Sequence, residues 1–362
     1  MSEYDLTQVT AGLSRRDWDD SHDGTLRFAL VGLGWWTQEY VQPVLSELDA
    51  VTVTVAVSGT PEKLATAREE WPAIEAAVSY EAFQAGEATD HYDAVYVCTP
   101  NATHLEHAEA AADHGKAVLC EKPMEATTER AAAMVDACET AGVPLLVGYR
   151  MQTDPAVRTV RDAIADGFLG EPVHVQGHMS QRIGDLFPEG NWRLDPELAG
   201  DGASVTDLGI YPLNTTRFLL DAEPVSVRAT ATSETERFDD VPDEHATFEV
   251  TFDDGTVAHC AASQNAAFTA GLEIVGTRGS VRLAPGFFDN ETQRLSLVRD
   301  GEHHEVTYDP VDQMREEFAY VAHHLLDDGD PEPTGEHGLV DVATIEAVYE
   351  AAETDERVDV EW

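Results

Sequence analysis

Apolar runs and amphipathic stretches alternate along the chain from residue 26 to about residue 150. Continuous apolar runs bounded by turn residues predict buried strands at residues 27–33, 51–58, 92–100, 117–123 and 144–149. Helical stretches fill the intervals, at residues 36–48, at 61–71, from Thr103 onward and at 128–142. Strands that are apolar on both faces and alternate with helices predict a parallel, doubly wound sheet.

The pattern changes after residue 150. A helix is predicted at about residues 155–167, and longer segments then alternate apolar with polar residues, at 172–179, 225–234, 246–264, 271–283 and 294–300. The sequences FDDGT and GTRGS inside two of these segments predict hairpin turns. Two further helices are predicted at about 312–327 and 337–353. This part therefore reads as an α+β domain on an open, mainly antiparallel sheet.

These patterns divide the chain into three predicted segments. Residues 1–25 are polar and aperiodic and are expected to form an extended arm. Residues 26–150 are predicted to be a dinucleotide-binding Rossmann domain, and residues 151–362 a domain for substrate binding and oligomerisation. Open antiparallel sheets with an apolar outer face commonly pair between subunits, so we expect a homodimer or homotetramer through residues of about 225–300.

The chain has a large excess of acidic residues. The chain carries 69 acidic and 22 basic residues, a net charge of −47, and only three of the basic residues are lysines. The acidic residues are spread along the chain, so their repulsion would strain a fold in dilute salt and is screened in molar salt. This indicates a protein of a halophile, and an unusually acidic mesophilic protein is the alternative. Binding to nucleic acid or to an anionic membrane is disfavoured because basic patches are lacking.

Disulfide bonds, metal sites and export are all disfavoured. The four cysteines show neither a C-x-x-C pair nor a zinc spacing, and no trusted spacing of histidines suggests a metal site. No apolar run is long enough to span a membrane. The arginine pair in SRRDW precedes a polar stretch and not an apolar one, so an export signal is not expected. We expect a reduced, cytoplasmic protein.

A glycine turn follows the first predicted strand. The sequence ALVGLGWWT places Gly32, Leu33 and Gly34 between strand and helix, followed by Trp35 and Trp36. A tight turn alone would also use glycine, but a strand before it and a helix after it are typical of a pyrophosphate-binding turn. The sequence therefore predicts a dinucleotide cofactor at this turn.

The end of the second strand indicates which cofactor binds. NAD sites usually have an acidic residue there, whereas this strand ends in Ser58, Gly59 and Thr60, with Lys63 one helical turn later. Two hydroxyls and a lysine suit a 2′-phosphate, so NADP is predicted over NAD. The alternative is that Ser58 and Thr60 only cap the following helix.

An apolar strand ends in the sequence AVLCEKPME, at residues 117–125. This E-K-P element, together with DLGIY at 207–211 and with GLGWW, VSGTPEK, CTPNATHLEHA and LLVGYRM, resembles the glucose–fructose oxidoreductase (Gfo/Idh/MocA) family of sugar and polyol dehydrogenases. The resemblance covers most of the chain after residue 26. It implies a soluble NADP-dependent enzyme that oxidises an aldose, with D-xylose as the expected substrate, at C1 to the lactone.

The resemblance also implies the catalytic residues, Lys122 and Tyr211 with Asp207 beside them. Lys122 lies at the carboxyl end of a predicted strand, where ligands bind in open α/β sheets. Asp207 and Tyr211 share one face if their segment is helical, and Pro212 then belongs in a first turn or at a kink. A lone tyrosine is a poor base, and a neighbouring ammonium group stabilises its phenolate form.

Further contacts are expected from the same resemblance. Trp192 and Arg193 would cover the nicotinamide, or would instead be a core tryptophan beside a surface arginine. His104 and His107 are expected at the surface or beside the cofactor and not at a metal. The remaining expected cofactor contacts are Thr99, Pro100, Asn101, Glu121, Lys122 and Arg150, and the expected sugar contacts are Lys122, Met151, Gln181, Asp207, Tyr211 and Asn214.

Two alternatives remain open from the sequence. The substrate could be glucose, an inositol or a trans-dihydrodiol, because the shape of the pocket decides this. A different class is a regulator that binds NADP without turnover, which would need neither the lysine nor the tyrosine.

Overall fold

The computed structural model describes residues 6–18, 24–288, 292–327 and 329–362. Its strands are β1 Leu26–Val31, β2 Val51–Val57, β3 Ala76–Val78, β4 Ala94–Val97, β5 Ala117–Glu121, β6 Leu145–Gly148, β7 Pro172–Arg182, β8 Pro224–Thr232, β9 His245–Phe252, β10 Val257–Ser263, β11 Asn265–Gly276, β12 Gly279–Leu283, β13 Gln293–Arg299, β14 Glu302–Tyr308 and β15 Val358–Asp359. Its helices are α1 Leu6–Ala11, α2 Gln42–Leu45, α3 Pro61–Glu70, α4 Tyr80–Gln84, α5 His104–Asp113, α6 Thr128–Ala141, α7 Pro155–Ala165, α8 Ile183–Leu186, α9 Pro196–Ala199, α10 Ile210–Leu220, α11 Gln313–Leu326 and α12 Gly335–Thr354. Short π-helical segments, Thr37–Val41 and Val205–Gly209, precede α2 and α10.

The first sheet has six strands in the order β3-β2-β1-β4-β5-β6, all parallel. This is the order of a doubly wound dinucleotide-binding fold, with the reversal of direction next to β1. The strands β4 and β6 are buried along their whole length, as their continuous apolar sequences predict. The predicted parallel α/β architecture is confirmed.

The second sheet has nine strands in the order β14-β13-β12-β11-β7-β10-β9-β8-β15. Its neighbours are antiparallel except for β7 and β10, which run parallel. Both predicted hairpin turns occur, between β9 and β10 and between β11 and β12. The α+β architecture is confirmed, but the outer face is not apolar, because the exposed side chains of β8 to β10 include Arg228, Thr230, Thr247 and His259.

The chain divides into two compact units whose limits differ from the predicted ones. The nucleotide-binding unit comprises Asp17–Arg150 and Met314–Leu339, and the second unit comprises the remaining segments, Met1–Arg16, Met151–Gln313 and Val340–Trp362. Helix α11 lies against the six-stranded sheet through Phe318, whose ring is 5.3 Å from that of Phe28 and 5.2 Å from that of Tyr96. The predicted limit of this domain at residue 150 therefore missed a segment that returns from the far end of the chain.

The expected extended arm is wrong for its described part. Residues 6–11 form the helix α1, and the carbonyl of Gly12 accepts a hydrogen bond of 2.6 Å from the hydroxyl of Thr159 on α7. Val9 and Leu13 are buried in the same unit. Two apolar side chains four residues apart were too weak a signal to predict so short a helix. Residues 1–5 and 19–23 of this arm lie outside the described residues.

Several short elements were not predicted from the sequence. Strand β3 has three residues, β15 has two and α4 has five, so none of them shows a clear period. Strand β14 was missed because its sequence, EHHEVTY, is mostly polar at an edge of the sheet. Within the described ranges, every helix is too short or too polar to cross a membrane.

Candidate active site

The turn after β1 has the geometry of a pyrophosphate-binding turn. Gly32 has a φ of +95°, and a Cβ placed there would lie 2.2 Å from the carbonyl oxygen of Cys98, so only glycine fits. A Cβ placed on Gly34 would meet nothing within 4 Å. Thr37 replaces the third glycine of the usual motif, and its hydroxyl donates to the Gly32 carbonyl at 2.6 Å. The turn is therefore fixed from inside and open on the side of Gly34.

Aromatic side chains surround this turn. Trp36 stacks on Tyr40 with ring centroids 4.5 Å apart, and the guanidinium of Arg150 lies 5.3 Å from the centroid of Trp36. Trp35 is 46% exposed. The indole N–H of Trp36 is buried without a hydrogen-bond partner among the described residues. An orphaned donor beside an open glycine turn fits a bound dinucleotide, because a phosphate or ribose oxygen would satisfy the donor.

The end of β2 presents polar groups and no carboxylate at residues 58–60. Ser58 is buried, and its hydroxyl accepts from the backbone N–H of Thr60 at 3.2 Å. Thr60 begins α3 without a side-chain capping bond, and Gly59 and Thr60 are exposed. A capping role could therefore explain Ser58 but not Thr60. Thr60 and the half-buried Lys63 remain available to bind an anion at the start of α3.

Lys122 follows the last residue of β5. Glu121 accepts a hydrogen bond of 2.6 Å from the hydroxyl of Tyr96 and one of 3.1 Å from the backbone N–H of Lys122. The peptide bond between Lys122 and Pro123 is cis. The Glu121 carboxylate thus links the backbone of Lys122 to Tyr96 on the neighbouring strand β4. Glu121 therefore supports Lys122 from within the protein and does not lie at an open surface.

The histidines of α5 are buried, which excludes the surface position and leaves the position beside the cofactor as a prediction. His104 is 1% exposed, and its ring nitrogens face the carbonyl oxygens of Thr99 at 2.8 Å and Met124 at 3.2 Å. This ring joins the loops that follow β4 and β5. His107 is also buried, and burial lowers its pKa to about 4. Among the other residues expected at this edge, Thr99 and Pro100 are half-buried and Asn101 is buried.

In the second unit, Asp207 and Tyr211 are singled out by exposure. Every residue from Gly202 to Leu219 is buried except these two, which are half-buried and four residues apart on a continuous helical segment. Pro212 lies in the first turn of α10, as the sequence required. The ring of Tyr211 is 5.8 Å from that of Phe287 and 6.2 Å from that of Phe288.

Two polar side chains contact one oxygen of the Asp207 carboxylate. Its Oδ2 accepts from the amide of Gln264 at 2.7 Å and lies 3.3 Å from Nε of Arg193. The guanidinium of Arg193 lies 4.5 Å from the ring of Trp192 and 4.8 Å from that of Phe187. Arg193 is therefore not a free surface residue. Its guanidinium is held between the rings of Trp192 and Phe187 and forms an ion pair with Asp207.

Two expected sugar contacts are used inside the second unit. Asn214 is buried, accepts from the amide of Gln152 at 3.0 Å and donates to Asp341 at 2.7 Å. Met151 is buried, and its sulfur lies 3.3 Å from the amide nitrogen of Gln313. The structure thus places the side chains of Met151 and Asn214 in internal contacts. Gln181, which is half-buried, is more exposed than either of them.

Asp243, which anchors this helical segment, was not predicted from the sequence. The buried carboxylate of Asp243 accepts from the backbone N–H groups of Ala203 at 2.6 Å and Val205 at 2.8 Å, and from the hydroxyl of Tyr349 at 2.7 Å. Burial raises the pKa of Asp243, and the two backbone donors oppose this rise. Asp243 therefore holds the start of the segment that carries Asp207, and no local pattern in the sequence indicates this.

Comparison with known proteins decides the family. Residues 26–149 match the model described as "Oxidoreductase family, NAD-binding Rossmann fold", and residues 157–282 match the "GFO/IDH/MocA C-terminal domain". The chain is 48% identical over 353 residues to D-xylose 1-dehydrogenase [NADP(+)] of Haloarcula marismortui, covering 97% of this chain and 98% of the relative. The chain belongs to the Gfo/Idh/MocA family of oxidoreductases. The family resemblance inferred from the sequence is thus confirmed.

Two further proteins are similar to this chain at lower identity. D-xylose 1-dehydrogenase (NADP(+)) 2 of Haloferax volcanii is 32% identical and matches 78% of this chain and 85% of its own. The crystal structure of aldose-aldose oxidoreductase from Caulobacter crescentus, complexed with glycerol, superposes with a TM-score of 0.85 at 30% identity, covering 92% of this chain and 99% of the other. The superposition confirms the fold, and the family model together with the 48% identical relative confirms the oxidoreductase class.

Proposed function

We propose that this Gfo/Idh/MocA protein is an NADP-dependent aldose 1-dehydrogenase that oxidises D-xylose at C1 to D-xylonolactone. The proposal rests on one observation above all, the exposure of Asp207 and Tyr211 alone on an otherwise buried helical segment. The 48% identity to a D-xylose 1-dehydrogenase over nearly the whole chain supports the substrate and the cofactor.

In the proposed chemistry, Tyr211 takes the proton of the C1 hydroxyl as the C1–H bond breaks. Lys122 stabilises the phenolate and donates a hydrogen bond to the sugar oxygen, and Asp207 orients the reacting groups. When bound, NADP supplies the nicotinamide C4 that accepts the hydride. The proton on Tyr211 passes to solvent, the C1 oxygen becomes the lactone carbonyl, and water opens the lactone afterwards.

The decisive test is the rate of NADPH formation with D-xylose in molar salt. We expect turnover by the wild-type chain and a loss of about 10²-fold or more in kcat for Lys122→Met, because the ammonium acts on the proton transfer. Lys116→Met is the matched control, since this lysine donates to the carbonyl of Tyr92 and should leave the rate unchanged. Undiminished oxidation by Lys122→Met, with fold and NADP affinity intact, would show that the proposed chemistry is wrong.

Substrate choice is tested with the same assay on D-xylose, L-arabinose, D-ribose, D-glucose and myo-inositol. The highest kcat/KM is expected for D-xylose. A higher value for an inositol would replace the proposed substrate class. NADP binding without turnover on any of these substrates would favour the regulator.

The proposed preference for NADP rests on Ser58, Thr60 and Lys63 at the start of α3. Lys63→Ala should raise the KM for NADP about tenfold and leave that for NAD unchanged, because a charge-assisted contact to the 2′-phosphate is lost. Lys116→Ala removes the same charge elsewhere and should change neither value. An equal effect on NAD and NADP would exclude a contact to the 2′-phosphate.

We also propose a homodimer or homotetramer through the nine-stranded sheet. Its outer face carries an open concavity of about 570 Å³ lined by Arg228, Glu249, His259 and Ala261 among others, and Val173, Val225 and Phe268 are large apolar side chains exposed on this sheet. Such a mixture of polar and apolar groups suits a hydrated subunit interface. Light scattering in molar salt should give at least a dimer, and Ala261→Arg should shift the mass toward a monomer. A monomer in the wild-type protein would remove this proposal.

A further inference from the structure

We propose that Gln264 is a positioning residue that holds the carboxylate of Asp207 as an oriented anion, with Gln181 fixing the direction of the Gln264 amide. The inference rests on the proposed function, because it assigns a task to Asp207 in catalysis. Gln264 was not recognised in the sequence, where it stands at the end of an alternating segment.

The position of Gln264 follows from the one parallel pair of strands described in the second sheet. Ser180 on β7 is in register with Ser263 on β10. Gln181 and Gln264 are the next residues along these strands, so their side chains lie beside each other at the same end of the pair. The amide nitrogen of Gln181 donates to the amide oxygen of Gln264 at 3.0 Å.

This contact determines which way the Gln264 amide faces. Because its oxygen accepts from Gln181, its NH2 group is directed to Asp207 and donates to Oδ2 at 2.7 Å. The reverse orientation would set the Gln264 oxygen against a carboxylate and an NH2 group against an NH2 group. The order of donors and acceptors is therefore Gln181 to Gln264 to Asp207.

The backbone of Gln264 is held as firmly as its side chain. Its N–H donates to the hydroxyl of Ser204 at 2.9 Å and its carbonyl accepts from Ile183 at 2.8 Å. The residue is completely buried. Ser204 stands three residues before Asp207, so the same residue contacts both the start of the helical segment and the carboxylate.

A hydrogen-bond donor and a cation therefore converge on one oxygen of Asp207, the Gln264 amide at 2.7 Å and the Arg193 guanidinium in an ion pair at 3.3 Å. A protonated oxygen at this position would place its own hydrogen against donors that cannot accept it. The arrangement thus favours the ionised carboxylate and resists its rotation. A hydrocarbon side chain at residue 264 would remove the hydrogen-bond donor that lies 2.7 Å from Oδ2 of Asp207.

The first test is the pH dependence of kcat/KM for Gln264→Leu. We expect the acid limb of the kcat/KM profile to move up by about one pH unit, because the ionised Asp207 carboxylate loses a hydrogen bond. We also expect kcat to fall about tenfold with little change in the KM for NADP. Gln264→Glu should move the limb further, since two carboxyl groups would then share one proton. Gln181→Leu should give a smaller shift in the same direction, and this half-buried site keeps the test available if Gln264→Leu folds poorly.

Two controls separate positioning from stability and from the proposed reaction. Val227→Ala removes buried volume from β8 and should lower stability without moving the acid limb. A double-mutant cycle of Gln264→Leu with Asp207→Ala, measured by denaturant unfolding, should show a coupling of about tenfold in the folding equilibrium constant. This coupling needs no turnover, so it tests the contact even if the chain oxidises no aldose.

The proposal is overturned by an acid limb in Gln264→Leu that equals the wild-type one, or by additive effects in the cycle. A shift of the same size in Val227→Ala would also overturn it, because lost stability would then explain the change. Failure of the wild-type chain to oxidise any aldose, with the coupling intact, would remove the proposed function and leave Gln264 as the anchor of Asp207.

Discussion

Gly32 and Gly34 are the same residue type used for two different physical reasons. At Gly32 the backbone passes against the carbonyl of Cys98 with a positive φ, so a side chain is excluded by the protein itself. At Gly34 the protein leaves the space open, so only a bound molecule would exclude a side chain. A motif read from the sequence does not separate these two demands.

Gly34→Ala tests this difference at the level of one residue. We expect no measurable change in the free energy of unfolding and a Kd for NADP raised about tenfold, because the added methyl group occupies space close to the pyrophosphate. Gly32→Ala is the matched comparison and should lower stability as well, since the turn has to move. Calorimetry of unfolding and titration of intrinsic fluorescence with NADP give the two quantities. Unchanged NADP affinity in Gly34→Ala would place the pyrophosphate elsewhere.

At the scale of elements, the segment that carries Asp207 and Tyr211 is held by buried charges distant in sequence. Asp243 holds its start, and further along Arg217 pairs with Asp341 at 2.7 Å, both side chains being buried. Asn214 donates to the other oxygen of Asp341. These contacts come from the loop before β9 and from α12, so the helix is positioned by two elements that follow it in the sequence.

Asp341→Ala should lower the free energy of unfolding by about 3–5 kcal/mol, because it leaves the guanidinium of Arg217 buried with one acidic partner fewer. Glu223, a second acidic partner of Arg217, has a side chain that is 46% exposed. Glu223→Ala should therefore lower the free energy of unfolding by about 1 kcal/mol or less. Denaturant unfolding in molar salt measures both. Equal losses in the two variants would show that burial does not set the strength of this ion pair.

Helix α11 brings a carboxyl group into the nucleotide-binding unit. Glu317 is buried, and neither of its oxygens has a hydrogen-bond partner among the described residues. Burial raises its pKa well above the usual range, the charge of Glu121 adds to this rise and that of Arg150 opposes it. The folded state therefore retains a proton here that the unfolded state releases.

The sign of the pH effect follows from this retention. A raised pKa in the folded state means that the stabilising contribution is complete below the unfolded pKa of about 4.3 and is lost as pH rises toward the folded pKa. Glu317→Gln should therefore be more stable than the wild type at alkaline pH, with a difference that grows by up to about 1.4 kcal/mol per pH unit. Glu350→Gln, at an exposed position of α12, should show no such trend. Unfolding curves between acid and alkaline pH measure the difference, and parallel pH profiles of Glu317→Gln and wild type would contradict it.

For the whole molecule, charge is the dominant property. Since the chain has 69 acidic and 22 basic residues, its negative charge is in large excess, and the mutual repulsion of the carboxylates opposes folding. At molar salt the Debye length is about 3 Å, which confines this repulsion to immediate neighbours. Stability should therefore depend on the salt concentration of the solvent.

We expect the melting temperature to rise steeply as potassium chloride increases from about 0.1 M to about 1 M and more slowly above that, as the screening length shortens. Glu69→Gln combined with Glu70→Gln removes two exposed charges at the carboxyl end of α3 and should reduce the salt requirement, because acidic groups there also oppose the helix dipole. Sucrose at equal osmolality is the control for solvent exclusion. A melting temperature independent of salt would show that repulsion is not limiting.

The sequence by itself determined the two sheets and the residues with which the chemistry is proposed. Buried parallel strands are apolar along their length and half-exposed strands alternate, so both sheets can be read from local periods of few residues. Lys122, Asp207 and Tyr211 stand in short local motifs, and the glycine turn adjoins a predicted strand, so these too were found without the structure.

The tertiary structure alone decided what holds these residues in place. Helix α11 returns to the first sheet, α1 packs on α7, and Gln264 reaches Asp207 across 57 positions of sequence. Buried polar residues of this kind look like surface residues in a hydrophobicity pattern, as His104 did. They are stable inside only because partners from distant parts of the chain complete their hydrogen bonds, and a local pattern carries no information about such partners.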